Sequence, residues 1–131
     1  ICQKEEISRY IEFLGYLRGE EKIQVFITSD IFILPTYHPE GFPYAILEAM
    51  SAGLPIISTP IGAIPEIIED GANGFLIPPK IPYILAEKIL TLIEDKSLRE
   101  KMGAENMKKA QEKYDVKVVC KIFEKIYKEI C

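Results

Sequence analysis

Two glutamates, Glu40 and Glu48, lie eight positions apart on either side of a predicted helix start. An ionised carboxylate accepts hydrogen bonds through two oxygen atoms, which matches the two hydroxyl groups of a vicinal diol. Gly41 has no Cβ, so a ligand can approach the backbone closely there. The unpaired amides and partial positive charge of a helix N-terminus favour a phosphate group. These features suit a ligand with hydroxyl groups at both ends and a diphosphate between them, although the spacing also allows two solvated acids.

A second turn of small residues, Gly62 and Ala63, precedes another predicted helix. Turns of this kind can present successive backbone amides to an anion. A plain tight turn explains the same two residues equally well. Neither glycine loop is specific when it is considered by itself.

Short apolar runs indicate the strands that must position these loops. Strands are predicted at 10–14, 31–34, 55–58 and 74–77, and helices at 19–27, 43–52, 64–69 and 82–94. Ser97 begins a capping box for a further helix, and Asp115 is expected to cap the last one, which carries one apolar stripe. This alternation predicts an α/β fold with a Rossmann-like, doubly wound parallel sheet and a helical C-terminal region. Ligands bind beyond the carboxyl ends of such strands, where the loop of Glu40 and Gly41 lies.

The composition restricts the classes of function. The 131 residues suit one domain, and the net charge of -4 is not typical of a nucleic-acid-binding protein. No apolar run approaches the about 18 residues of a membrane span. The three cysteines have neither CxxC nor Cys/His metal spacing, and Cys120 is expected to be a buried free thiol. A reducing cytosol is the compartment that fits this cysteine usage best.

The succession of motifs resembles a known family. After Glu40 and Glu48, which form an E-x7-E pattern, the chain continues with AMSAGLPII at 49–57, GAIPEII at 62–68 and NGFLI at 73–77. This order is similar to the C-terminal domain of family-four retaining glycosyltransferases of the GT-B fold. The resemblance implies a parent enzyme of hexosyltransferase type that moves a sugar from a nucleotide-diphosphate sugar to a hydroxyl acceptor without a metal ion.

The resemblance also assigns roles to individual residues. It implies that Glu40 binds hydroxyls of the transferred sugar at the catalytic centre and that Glu48 holds the nucleotide ribose. The backbone amides of Gly41 and Phe42 would meet the sugar and the diphosphate. The remaining implied donor-binding positions are the helix start at Pro43, Tyr44 and Ala45, the base-binding loop at Gly15 and Tyr16, and the turn at Gly62 and Ala63.

The resemblance further implies that residues 1–131 form a partial donor-binding domain. The acceptor-binding N-terminal domain, the first strands and a basic pair that neutralises the diphosphate would lie outside this sequence. The isolated chain is therefore expected to be inactive, and to be marginally stable, to self-associate or to pair its strands differently. A cytoplasmic location is expected, with peripheral membrane attachment through the absent domain. A non-catalytic nucleotide-sugar-binding module and, with less support from the E-x7-E pattern, a nucleotide-sugar epimerase remain alternatives.

Overall fold

The computed structural model describes residues 5–39 and 41–130. Its helices are α1 (Glu5–Ser8), α2 (Gly19–Thr28), α3 (Tyr44–Ser51), α4 (Ile64–Ile67), α5 (Pro82–Glu94), α6 (Lys96–Lys109) and α7 (Val116–Ile130), and a π-helical turn (Ala110–Tyr114) joins the last two. Its strands are β1 (Phe32–Leu34), β2 (Ile56–Ser58) and β3 (Gly74–Leu76). The predicted α/β fold with a helical C-terminal region is confirmed.

The strands form one parallel sheet in the order β1-β2-β3. In the central strand, Ile57 pairs with Ile33 of β1 on one side and with Phe75 of β3 on the other. All residues of β2 are buried, as a short continuous apolar run predicts for a strand that is covered on both faces. Because the strands are parallel, the segments that follow them leave the sheet at the same edge.

Helices cover both faces of this sheet. On one face, Ile56 packs into a buried cluster with Ile46 of α3 and Ile64 of α4. On the other face, Ile57 packs into a second cluster that includes Leu92 of α5. Neighbouring residues of β2 therefore point into separate cores, as side chains of a strand alternate between its faces. The predicted doubly wound arrangement is confirmed.

A buried pair of amide side chains ties α6 to the sheet. Asn106 Nδ2 donates to the carbonyl oxygens of Leu54 and Asn73, at 2.7 Å in each case. Asn73 Nδ2 donates in turn to Asn106 Oδ1 at 2.8 Å. Both side chains are almost completely inaccessible, and these bonds offset the cost of removing their polar atoms from water.

The close approach of α6 to the end of α3 depends on Gly103. A Cβ atom added at this position would collide with the backbone carbonyl of Gly53. Gly53 itself has a φ of +75°, a left-handed conformation that glycine adopts readily after a helix end. The helix predicted at 43–52 is confirmed as α3, and Gly53 lies just beyond its end.

The predicted strand at 10–14 is not observed. Residues 11–14 have no regular secondary structure, and Phe13 is 84% exposed. The strand pairings in the described part of the chain join only β1, β2 and β3. A segment of strand-like composition forms a strand only where a neighbouring strand provides partners for its backbone hydrogen bonds. In the described part of the chain no strand pairs with residues 11–14, so the prediction is wrong.

The predicted helix caps have different outcomes. Helix α6 begins at Lys96, and Asp95 caps it by accepting a 2.8 Å hydrogen bond from the Leu98 amide. The predicted capping box at Ser97 is wrong because the carboxylate of Asp95 already occupies the role that the Ser97 hydroxyl would take. Asp115 accepts a 2.7 Å bond from the Lys117 amide at the start of α7, so its predicted capping role is confirmed.

Helix α7 carries its apolar stripe on the surface of the described structure. Ile122, Phe123 and Tyr127 are all exposed. Cys120 is exposed as well, and the prediction of a buried thiol is wrong because α7 contributes to neither buried cluster. Within 5–39 and 41–130, no helix is both long enough and apolar enough to cross a membrane.

Candidate functional site

The loop between β1 and α3 lies at the carboxyl edge of the sheet, as the sequence predicts. Glu40 falls outside the described residues. Gly41 and Phe42 are exposed, and Pro43 is the N-cap of α3 instead of its first residue. Helices leave the amides of their first turn without an intrahelical acceptor, and in α3 this turn includes Tyr44 and Ala45.

Two hydroxyl groups from β2 and the residue after it hold the beginning of this loop. Ser58 Oγ donates to the Leu34 carbonyl at 2.8 Å, and Thr59 Oγ1 donates to the Thr36 carbonyl at 2.6 Å. Both hydroxyl-bearing residues are completely buried. The backbone that leaves β1 is therefore bonded to the residues that end β2.

Glu48 faces a groove between α2 and α3. Its Oε1 atom lies 2.6 Å from Lys22 Nζ, and the two side chains are 42% and 41% exposed, respectively. The groove has a volume of about 460 Å³ and is lined mainly by apolar atoms of α2 and α3, including those of Ile23, Phe26 and Leu47. A half-exposed carboxylate at the side of an apolar groove can accept hydroxyl donors from a ligand.

Lys22 was not among the residues that the sequence singled out. It lies 26 positions from Glu48, and such a long-range pairing has no periodic signal in the sequence. The residue type alone gives one signal of a role outside the helix. A lysine in the first turn is unfavourable for the helix itself, because its positive charge lies near the positive end of the helix dipole. The ammonium group of Lys22 lies beside the Glu48 carboxylate in the lining of the groove.

The side chain of Phe42 contacts the C-terminal helical region. Its ring centroid lies 5.6 Å from that of Tyr114, with the ring planes at 63°. Tyr114 ends the π-helical turn and packs against the buried cluster under α3 and α4. Burial raises the pKa of the Tyr114 phenol above its usual value, and the carboxylate of Glu66 raises this pKa further. The sequence did not single out Tyr114 either, because nothing in its local pattern connects it with the β1–α3 loop.

The second small-residue turn follows β2 at the same edge of the sheet. Gly62 has a φ of +60°, which favours glycine at this position. Ala63 is the N-cap of α4 and has an ordinary right-handed conformation. The predicted turn is present, and its contact with a ligand stays a prediction.

The predicted base-binding loop lies just before α2. Gly15 has a φ of +67°, and the exposed ring of Tyr16 has the Arg18 guanidinium carbon 4.8 Å from its centroid. The chain then enters α2, whose first turn carries Lys22. Chain connectivity thus brings this loop toward the groove of Glu48, and its role beside a base stays a prediction.

A cationic residue also occupies the carboxyl edge of the sheet. Lys80 follows β3 with a φ of +63°, which is uncommon for a residue with a side chain. Its Nζ lies 4.6 Å from the ring centroid of Tyr37, which follows β1.

Among the residues that the structure describes, no group of three or more His, Cys, Asp or Glu side chains is arranged to hold a metal ion. Metal-independent chemistry stays a prediction.

The family model described as glycosyl transferases group 1 matches residues 1–109. The chain belongs to the group 1 glycosyl transferases. It is 37% identical over 106 residues to a sulfoquinovosyl transferase of Arabidopsis thaliana, with 79% of this chain and 20% of that protein covered. It is 28% identical over 124 residues to a phosphatidyl-myo-inositol mannosyltransferase of Mycobacterium leprae, with 95% of this chain and 33% of that protein covered.

Solved structures of other proteins share this fold, including a domain of a group 1 glycosyl transferase. The crystal structure of Anabaena HepE in complex with UDP-glucose is 28% identical, with a TM-score of 0.85 over 97% of this chain and 35% of HepE. The C-terminal domain of a group 1 glycosyl transferase from Francisella tularensis is 33% identical, with a TM-score of 0.78 over 88% of this chain and 59% of that one. The resemblance to a GT-B glycosyltransferase domain is confirmed, and the chain spans 20% to 33% of the two curated relatives described above.

Proposed function

We propose that this chain is the donor-binding part of a retaining glycosyltransferase that moves a hexose from a nucleotide-diphosphate sugar to a hydroxyl acceptor in glycan or glycolipid biosynthesis. The observation that carries the proposal is the placement of Glu48, with its carboxylate on the groove and one helical turn beyond the N-terminus of α3. Family membership supports the transfer reaction. HepE, with which this chain shares its fold, binds UDP and UDP-glucose.

The geometry suggests how the donor lies across the site. Tyr44 and Glu48 are four residues apart, which corresponds to about 6 Å along a helix axis. In the proposed pose, the diphosphate meets the amides at the start of α3 and the loop amides of Gly41 and Phe42. The ribose diol binds the Glu48 carboxylate, and Glu40 binds the transferred sugar.

In this pose the helix and loop amides also act in the transition state. Negative charge grows on the departing diphosphate, and fixed amide dipoles stabilise it without having to reorient. No nucleophilic side chain is assigned in this chain, so the proposed transfer is direct. The acceptor oxygen bonds to the anomeric carbon on the same face of the sugar from which the diphosphate departs. The acceptor site, a basic pair for the diphosphate and a cytoplasmic setting are assigned to the longer parent protein.

The test of the ribose role is Glu48→Ala. Loss of a charge-assisted hydrogen-bond acceptor is expected to weaken binding of the nucleotide-sugar donor by about 1–3 kcal/mol, which isothermal titration measures in this chain and in the parent enzyme. Glu100→Ala is the matched control because Glu100 is also a helix-surface acid paired with a lysine, Lys96, and lies outside the groove lining.

Two further measurements complete this test. Lys22→Ala separates the loss of the ion pair from the loss of the carboxylate, and it is expected to change donor affinity less than Glu48→Ala does. The anomeric configuration of the product of the parent enzyme, determined by NMR, tests retention. Unchanged donor affinity in Glu48→Ala would refute the ribose role.

A further inference from the structure

Tyr114 contacts the β1–α3 loop of the proposed donor site. Its ring is in edge contact with Phe42, which follows Gly41 in the β1–α3 loop. Burial raises the pKa of the Tyr114 phenol, and the carboxylate of Glu66 in α4 raises this pKa further. One side chain from the C-terminal region therefore contacts the β1–α3 loop.

The part of this loop at Gly41 and Phe42 is exposed. A Cβ added at Gly41 would meet no atom within 4 Å, so the side of the backbone on which a side chain would stand is open. Phe42 is 42% exposed, and its edge contact with Tyr114 is the ring pairing that the described structure gives it. An aromatic pair in this geometry stabilises the position of both rings beyond the area that they bury.

Tyr114 is held more firmly than the loop that it contacts. It is half-buried against the cluster of α3 and α4, and it follows Ala110, which is buried in the same cluster. Upstream, α6 is tied to the sheet by Asn106. The π-helical turn that carries Tyr114 is defined by hydrogen bonds that span five residues, a rare local distortion that recurs at functional sites.

We propose that Tyr114 is a positioning residue for donor binding, which holds the Phe42 ring so that the amides of Gly41 and Phe42 face the diphosphate and the transferred sugar. This inference rests on the proposed donor-binding function. Tyr114 acts through the loop and does not itself touch the donor.

The inference is tested by a double-mutant cycle of Tyr114→Leu and Phe42→Leu. The ligand is UDP-glucose, or whichever of UDP-, ADP- and GDP-glucose the unmodified chain binds most tightly, and the dissociation constant is measured by titration calorimetry. Each single variant is expected to weaken binding about two- to tenfold, from the usual strength of an aromatic pair. The double variant is expected to bind no more weakly than the weaker single variant, because both changes remove one contact. Tyr114→Phe keeps the ring and is expected to bind within twofold of the unmodified chain.

A second ligand separates positioning from a general loss of structure. The corresponding nucleoside monophosphate lacks the β-phosphate and the sugar, so its affinity is expected to stay the same in Tyr114→Leu. Leu92→Val is the control for stability, since Leu92 is completely buried in the other core cluster, and this variant is expected to melt earlier and to bind both ligands normally.

The possible outcomes distinguish the two proposals. Equal weakening of both ligands in Tyr114→Leu, additive effects in the double variant, or unchanged nucleotide-sugar binding would overturn the positioning role and leave donor binding intact. If the unmodified chain and the parent enzyme bind none of the nucleotide sugars, the donor-binding proposal fails and the positioning role fails with it.

Discussion

At the scale of single residues, the ion pair of Lys22 and Glu48 positions a carboxylate and adds little to stability. The two side chains are 41% and 42% exposed, and at such exposure water screens the charges, so the pair contributes no more than about 1 kcal/mol. The ammonium group nevertheless keeps Glu48 on the groove. A ligand hydroxyl that replaces the ammonium therefore meets only a small opposing free energy.

In contrast to this ion pair, the buried amide pair of Asn73 and Asn106 contributes mainly to stability. Asn106→Ala would remove the partner of the Asn73 side chain and leave the carbonyls of Leu54 and Asn73 without their donor. Buried polar groups left without partners are costly, and we expect the free energy of unfolding to fall by about 3 kcal/mol. Urea unfolding followed by circular dichroism measures this change.

Glu105→Ala provides the matched control for Asn106→Ala. Glu105 precedes Asn106 in α6 and is exposed, so its replacement is expected to change stability by less than about 0.5 kcal/mol. Equal urea midpoints for the two variants would show that the amide pair does not hold α6 in place.

At the scale of elements, α6 approaches the end of α3 at Gly103, although glycine is unfavourable inside a helix. Gly103→Ala would gain about 1 kcal/mol from helix propensity alone. The added Cβ would meet the Gly53 carbonyl, and overpacking of this kind costs about 1–3 kcal/mol and forces the backbone to shift. We therefore expect Gly103→Ala to lower the melting temperature.

The neighbouring residue supplies the comparison for this prediction. Ala104 is exposed on α6, so Ala104→Gly is expected to cost about 1 kcal/mol through propensity alone. A Gly103→Ala variant that melts at a higher temperature than the unmodified chain would contradict the close packing of α6 on Gly53.

The elements that sequence analysis predicted well are those with a local cause. The strands β1, β2 and β3 come from short apolar runs, and α3 ends before a glycine, so their patterns are complete within a few residues. The segment 10–14 has a strand composition, yet strand formation requires a partner elsewhere. Cys120 fits an apolar helical face, but only the tertiary arrangement determines whether that face is covered.

The same division applies to the candidate site. The spacing of Glu40 and Glu48 on either side of a helix start follows from local sequence, and the structure places Glu48 on a groove at α3. Lys22 and Tyr114 come from distant parts of the chain. Their contacts arise from the packing of α2 and the π-helical turn, which no spacing rule describes.

At the scale of the whole molecule, the described structure leaves two apolar surfaces exposed. One comprises the stripe of α7, with Ile122 and Phe123 more than half exposed, and the other surrounds Phe13 in the segment before α2. Apolar surface in contact with water favours association.

We predict that the purified chain self-associates through the α7 stripe. Phe123→Glu introduces a charge into this surface and is expected to lower the average mass seen in sedimentation velocity at high protein concentration. Lys121→Glu changes a charge on an exposed residue of the same helix and is the control. A monomer at all concentrations in the unmodified chain would contradict this prediction.

The hydroxyl groups of Ser58 and Thr59 have a consequence for affinity. Because they bond the carbonyls of Leu34 and Thr36, the backbone at the root of the β1–α3 loop is preorganised before any ligand arrives. Ordering a flexible residue costs about 1–2 kcal/mol of backbone entropy. Binding energy that would otherwise be spent on immobilising this root is available for discrimination between one nucleotide sugar and another.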